Sequence, residues 1–160
     1  MHLSQRSDYA LRAVVELAQA YPEGRLLSAK DISKSEGVPI KFLEQILLTL
    51  KHAGIVRSKM GVKGGYTLAK APNQISFGSV IRIFEGPVAP IGCVNPNEKS
   101  LCSELWHCKF HRVMVNLREA ISGVIDKTTL ADVMGPVPAD QGRVPSHAPL
   151  RIQPVTSAHA

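Results

Sequence analysis

The stretch from Ser28 to Lys70 constrains the fold more than any other part of the chain, because Gly37-Val38-Pro39 sets a forced break between two helical segments. Ser28 and Asp31 stand at the N-cap and third position of a capping box. Gly37 offers a left-handed stop, and Pro39 sits where the first residue of a helix needs no hydrogen-bonded N–H. Beyond it Ile40, Leu43, Ile46 or Leu47, and Leu50 recur on one face until Gly54, which predicts a helix over 39–53. "IVRSK" and "YTLAK" then read as two strands. "MGVKGG" forms the tip of their hairpin, where Gly64 and Gly65 give the backbone freedom and closeness that a tight turn needs. Ahead of all this, Leu11, Val14, Val15 and Ala18 fall at helical spacing within residues 8–21, with Ser7 as the expected cap. Three helices followed by a hairpin is the order of a winged helix-turn-helix, so the expected class is mostly α with a small β wing.

The remainder divides by composition. Ser76 caps a short helix, "FGSVIRIFE", which Gly86-Pro87 stops. From Ser103 onward, Leu105, Phe110, Val113, Leu117, Ala120 or Ile121, and Val124 predict a helix of about 20 residues. That is long for a small domain, and such a helix wants a partner. Residues 129–134 read as one further helical turn, and the last 25 residues hold five prolines without an apolar period. The expected organisation is a DNA-binding winged helix-turn-helix domain over 1–86 and a cysteine loop over 87–111. A dimerisation helix with a short terminal helix over 103–134 and a disordered tail over 135–160 complete it. No run approaches the roughly 18 apolar residues of a membrane span, which predicts a cytoplasmic protein without membrane association. No P-loop, dinucleotide fingerprint or nucleophile–base set is present, so an enzyme is not expected.

The formal net charge is +6, and its placement says more than its size. Residues 51–70 hold Lys51, Arg57, Lys59, Lys63 and Lys70 and no acidic residue, the pattern of a surface that meets phosphate. The expected partner is a double-stranded DNA operator, with the 39–53 helix in the major groove, the groove wide enough to admit a helix. Off the apolar face of that helix stand Lys41, Glu44 and Gln45. Gln pairs with adenine, Glu accepts from cytosine, and Lys reaches guanine or phosphate. Ser28 and Pro39, at the two helix starts, and Arg57, Lys59, Lys63, Gly64 and Gly65, in the hairpin, complete the expected contact set. The plainer alternative is a solvated basic turn beside an ordinary helix surface.

Three cysteines occur, Cys93, Cys102 and Cys108, separated by eight and five residues. An odd count in a chain without an export signal argues against a disulfide framework and for metal or redox chemistry. The spacing lacks the close pairs of zinc ribbons. His111, three residues after Cys108, shares its helix face, so three thiolates and an imidazole offer four positions to tetrahedral zinc or to an iron–sulfur cluster. A long, loosely spaced loop suits a multi-atom cluster better than a single ion, leaving zinc as the lesser alternative. The plain alternatives are small buried apolar cysteines and a surface histidine.

Through "LSQRSDYALRAVVELA", "FLEQILLTLKHAGIV", "GGYTLAK", "EGP" and the three cysteines, the chain resembles the IscR, NsrR and RirA family of bacterial winged-helix regulators that carry iron–sulfur clusters. The resemblance covers residues 1–134. It implies a homodimer paired through the long helix, a pseudo-palindromic operator, and one 2Fe-2S or 4Fe-4S cluster per subunit in the three-cysteine loop. It also implies a repressor that senses iron, redox or nitric oxide status. His111 matches the fourth ligand of IscR-type members, whereas Asp8 matches the NsrR-like solution, in which the partner subunit supplies a carboxylate. Met60 departs from the family: it stands at a wing position where many relatives place an arginine in the minor groove. The alternatives to this reading are a zinc- or thiol-based DNA-binding regulator and an electron-transfer or cluster-carrier protein whose hairpin is mere surface.

Overall fold

The computed structural model describes residues 3–97 and 108–135. The chain runs α1 (Gln5–Ala20), α2 (Ala29–Glu36), α3 (Ile40–His52), β1 (Val56–Lys59), β2 (Gly65–Leu68), α4 (Phe77–Glu85) and α5 (Lys109–Lys127). Short 3-10 turns lie at Pro72–Gln74, Gly92–Val94 and Ala131–Val133. Among the described residues there are thus five helices and one two-stranded antiparallel sheet, a mostly α winged fold as the sequence led us to expect.

Local chemistry sets each boundary. In α1 the cap is Ser4, whose hydroxyl oxygen accepts from the Ser7 N–H, so the helix begins earlier than its apolar stripe suggests. Ser7, the expected cap, is buried inside the helix and donates its hydroxyl to Glu85. The capping box of α2 forms as read: the Asp31 N–H donates to Ser28 Oγ and the Ser28 N–H to Asp31 Oδ2, both at 3.1 Å. Gly37 ends α2 at φ 65°, in the left-handed region that glycine occupies without Cβ strain. Pro39 is the N-cap of α3, one place before the helix proper, and its carbonyl accepts from the Phe42 and Leu43 N–H groups at 3.0 Å.

α3 buries Leu43, Ile46, Leu47 and Leu50 against Ala13, Val14 and Leu17 of α1, Ile32 of α2 and Val56 and Leu68 of the sheet. Each such aliphatic side chain stabilises the domain by about 1.5–3 kcal/mol relative to exposure. The sheet pairs Val56 with Leu68 and Lys59 with Gly65, and a bridge between Leu27 and Tyr66 ties it to the segment before α2.

α5 departs from expectation at its start. Cys108 is extended, at φ −75° and ψ 105°, and caps a helix that begins at Lys109. The proposed start at Ser103 and the apolar position Leu105 lie outside the described residues. Leu105 and Phe110 are five residues apart, a separation that no helix face supports. At its other end α5 is joined to the winged domain: Phe77 donates its N–H to the Thr128 carbonyl and Leu130 to that of Ile75, each at 2.9 Å. Leu130 is fully buried. The expected helix over 129–134 is instead a 3-10 turn, held because Asp132 accepts from both the N–H and the hydroxyl of Thr129 at 2.7 Å. The tail from 136 onward lies outside the described residues.

Candidate nucleic-acid interface and metal-ligating loop

With its apolar stripe turned inward, α3 presents Lys41, Glu44 and Gln45 to solvent. Leu48, half exposed one turn beyond Glu44, shares this surface. The sequence reading missed it because it sought only polar readers, although an apolar side chain is suited to a thymine methyl group. The position i+4 from Glu44 was the available signal. Arg6 of α1 stands 6.0 Å from the centre of the Phe42 ring, beside the start of α3, and adds a further cation there. Ser28 is occupied differently from its neighbours. Its hydroxyl donates to Asp31 Oδ2 at 2.6 Å and its N–H to the same oxygen, so both of its donors serve the cap of α2. Those bonds hold the Asp31 carboxyl below the usual carboxylate range.

In the wing, Arg57, Lys59 and Lys63 are exposed. The left-handed turn falls at Gly61, with φ 113°, while Gly64 and Gly65 serve close approach. A Cβ on Gly64 would lie 2.3 Å from the Lys59 carbonyl oxygen, and one on Gly65 would lie 2.7 Å from that of Leu27. An open groove of about 620 Å³ separates Tyr21 and Leu26 from the strands, with Arg57 and Lys59 on its wall.

The cysteine loop leaves α4 and meets α5. Cys93 sits in the Gly92–Val94 turn, which is pinned where Arg118 of α5 donates to the Val94 carbonyl at 3.1 Å. Cys108 and His111 are adjoined at the start of α5, the His111 N–H donating to the Cys108 carbonyl at 3.2 Å. Cys93 and Cys108 are free, half-buried thiols. Cys102 lies outside the described residues. Among the described residues no three His, Cys, Asp or Glu side chains converge.

The ring of His111 carries the informative atom. Its Nδ1 is buried and lacks a hydrogen-bond partner among the described residues. An orphaned polar atom of this kind costs about 1–3 kcal/mol unless something engages it. Imidazole nitrogen and cysteine sulfur are donors to zinc and to iron alike, so the residues present fit a thiolate–imidazole metal group. Asp8, by contrast, lies in the first turn of α1, where a carboxylate suits the helix N-terminus, and pairs with Arg12 at 3.1 Å.

Two clamps join the loop's surroundings to the reading domain. At the C-terminus of α4, Glu85 accepts from the N–H of Ser4, the N-cap of α1, at 2.9 Å and from the hydroxyl of Ser7 within that helix. One turn earlier Arg82 grips Asp126 of α5 in a bidentate pair at 2.5 and 2.8 Å, which lowers the Asp126 pKa and raises that of Arg82. Gly78 makes room for this pair, since a Cβ there would lie 2.0 Å from Asp126 Oδ1.

The family model described as Rrf2, iron-dependent transcriptional regulator, matches residues 3–136. Among curated proteins, the chain is similar to the HTH-type transcriptional regulator CymR of Bacillus subtilis, 35% identical over 133 residues, 83% of this chain and 89% of that protein. It is also similar to the HTH-type transcriptional regulator IscR of Serratia proteamaculans, 33% identical over 134 residues, 84% of this chain and 79% of that one. Among solved structures, B. subtilis CymR, described as the global cysteine regulator, has a TM-score of 0.71 at 31% identity, covering 84% of this chain and 96% of the other. IscR of T. potens has a TM-score of 0.62 at 31% identity, covering 82% and 85%.

Proposed function

The chain belongs to the Rrf2 family of helix-turn-helix transcriptional regulators, and from that premise we propose that it is a homodimeric repressor whose grip on double-stranded DNA is set by an iron–sulfur cluster held at Cys93, Cys102 and Cys108. The observation that carries the cluster half of this reading is the buried Nδ1 of His111 at the start of α5, adjoining Cys108 and without a partner among the described residues. His111 is the fourth ligand in this reading. Asp8 of the partner subunit is its competitor, and the pairing of Asp8 with Arg12 gives it other employment. When bound, the cluster supplies iron whose oxidation, nitrosylation or loss reports the cell's iron, redox or nitric oxide status.

The chain's own residues do the rest. α3 enters the major groove with Lys41, Glu44 and Gln45 toward the base edges, and Ser28 and Pro39 mark the helix starts near the backbone. Arg57, Lys59 and Lys63 meet phosphate while Gly64 and Gly65 keep the wing narrow. Phe110, Val113, Leu117 and Val124 form an exposed apolar stripe on α5, which is the dimerisation surface. A change in the 87–111 loop passes to α1 through Glu85 and to α4 through the Asp126–Arg82 pair, altering the spacing of the two α3 helices in the dimer. A coupling of about 1–3 kcal/mol is enough for a 5- to 150-fold change in operator affinity.

Anaerobically purified protein tests this. Cluster absorption with matching iron and sulfide is expected, together with DNA affinity that changes when a chelator removes the iron. Protein without iron or sulfide whose affinity responds to thiol oxidants or to zinc would instead place it with the thiol- or zinc-based alternatives. The similarity to a relative described as a cysteine regulator keeps those alternatives in the experiment.

A further inference from the structure

The tip of the wing reads Lys59-Met60-Gly61-Val62-Lys63, two apolar side chains set between two cations. Met60 and Val62 are 95% and 108% exposed, so neither contributes to this chain's own core. Their support is nonetheless stiff. β1 and β2 are in register to Lys59 and Gly65, the Gly64 N–H closes the turn onto the Gly61 carbonyl at 2.8 Å, and a Cβ on Gly64 would strike the Lys59 backbone. An apolar pair held out on a fixed hairpin, with none of the described residues covering it, is a contact surface. Charge identifies the kind of partner. Residues 51–70 include Lys51, Arg57, Lys59, Lys63 and Lys70 and no acidic residue, which complements a polyanion.

Resting on the DNA-binding reading above, we infer that Met60 and Val62 are an apolar wedge that the wing places in the DNA minor groove, with Lys59 and Lys63 on the flanking phosphates. A guanidinium in that groove is drawn by the negative potential of a narrow adenine tract. An apolar side chain gains nothing from that potential and instead gains by entering between bases at a step that unstacks easily, such as TA or CA. The wing therefore selects for deformability at positions beyond the bases that α3 reads.

The test uses the full-length chain and duplexes it recovers from a random-sequence pool. Each is remade with a TA step, a CA step or an adenine run at the wing-proximal position, and with 2-aminopurine reporting unstacking there. Wild type is expected to prefer the TA and CA duplexes and to raise the 2-aminopurine emission. Met60→Ala with Val62→Ala should lower affinity for those duplexes by roughly 5- to 150-fold, the span of a lost base-pair contact, and abolish the emission rise. Met60→Arg should transfer the preference to the adenine run. Equal affinity and emission for the double variant, while Gln45→Ala loses the same duplexes, overturns the wedge alone and turns the apolar tip toward a protein surface instead. Failure of the wild type to recover any duplex overturns the wedge together with the DNA-binding reading.

Discussion

The two longest helices of the described chain are treated oppositely by the fold. α1, with 16 residues, buries seven of them, including Ala13, Val14 and Leu17, whereas α5, with 19, buries none. Both are amphipathic, so the difference lies in what each apolar face has been given to meet. α1 is surrounded by α2, α3, α4 and the wing of its own chain, while α5 keeps Phe110, Val113, Leu117 and Val124 open to solvent. The lesson is that the winged domain closes its core within one chain, whereas among the described residues nothing covers the apolar stripe of α5.

The sharpest attempt to break this contrast is a paired truncation. Leu47→Ala, in the centre of the winged core, is expected to lower unfolding stability by about 2–5 kcal/mol, since a large aliphatic group leaves a cavity. Leu117→Ala should cost much less in the same titration of protein dilute enough to be monomeric, and equal losses there would mean that α5 is packed within its own chain. A charge on the stripe sharpens the point from the other side. Phe110→Asp with Val113→Asp should convert the protein to monomer in sedimentation while the winged domain's melting is retained; an unchanged sedimentation coefficient would show that α5 is not the dimer surface.

Smaller effects follow at the joints. Ser28→Ala removes the α2 cap and should destabilise the winged domain by about 1 kcal/mol in chemical denaturation. Weaker still is the Arg82–Asp126 clamp, whose two side chains are each more than a third exposed, so Asp126→Asn should cost less than about 1 kcal/mol. Its pH dependence has a definite sign. Arg82 lowers the Asp126 pKa in the folded chain, so the contribution is fully present above the ordinary carboxylate value of 3.8 and is lost as pH falls through the depressed one. The difference in stability between wild type and Asp126→Asn should therefore be constant near neutrality and vanish in acid; a difference that grew on acidification would assign the pair another role.

What was legible from the letters alone followed the same divide. The capping box at Ser28 and Asp31, the glycine stop at Gly37 and the α3 stripe are local signals with local causes, and each stands where it was read. The start of α1 was misplaced because Ser4 and Ser7 are equally good caps by composition, and only the distant Glu85 decides that Ser7 is needed inside. The start of α5 was read at Ser103, outside the described residues, and among those described the helix runs from Lys109 behind an extended Cys108. Arg82 with Asp126, and Arg118 with Val94, could not be read at all, since their partners lie 44 and 24 residues apart and nothing local marks them. Cys93, Cys102, Cys108, His111 and Asp8 were suggested as ligands by residue type and resemblance; that His111 Nδ1 is buried without a partner among the described residues is a property of packing that no spacing rule contains.

The central claim is that thiols in a region the chain leaves incomplete govern a reading domain that is complete. Its most direct test is the anaerobic DNA affinity, by fluorescence anisotropy, of the full-length chain carrying Cys93→Ser, Cys102→Ser and Cys108→Ser, measured against wild type on one recovered duplex. The prediction is an affinity change of about 5- to 150-fold, with the winged domain's helical circular dichroism and melting preserved. Identical affinities for the two proteins would contradict it.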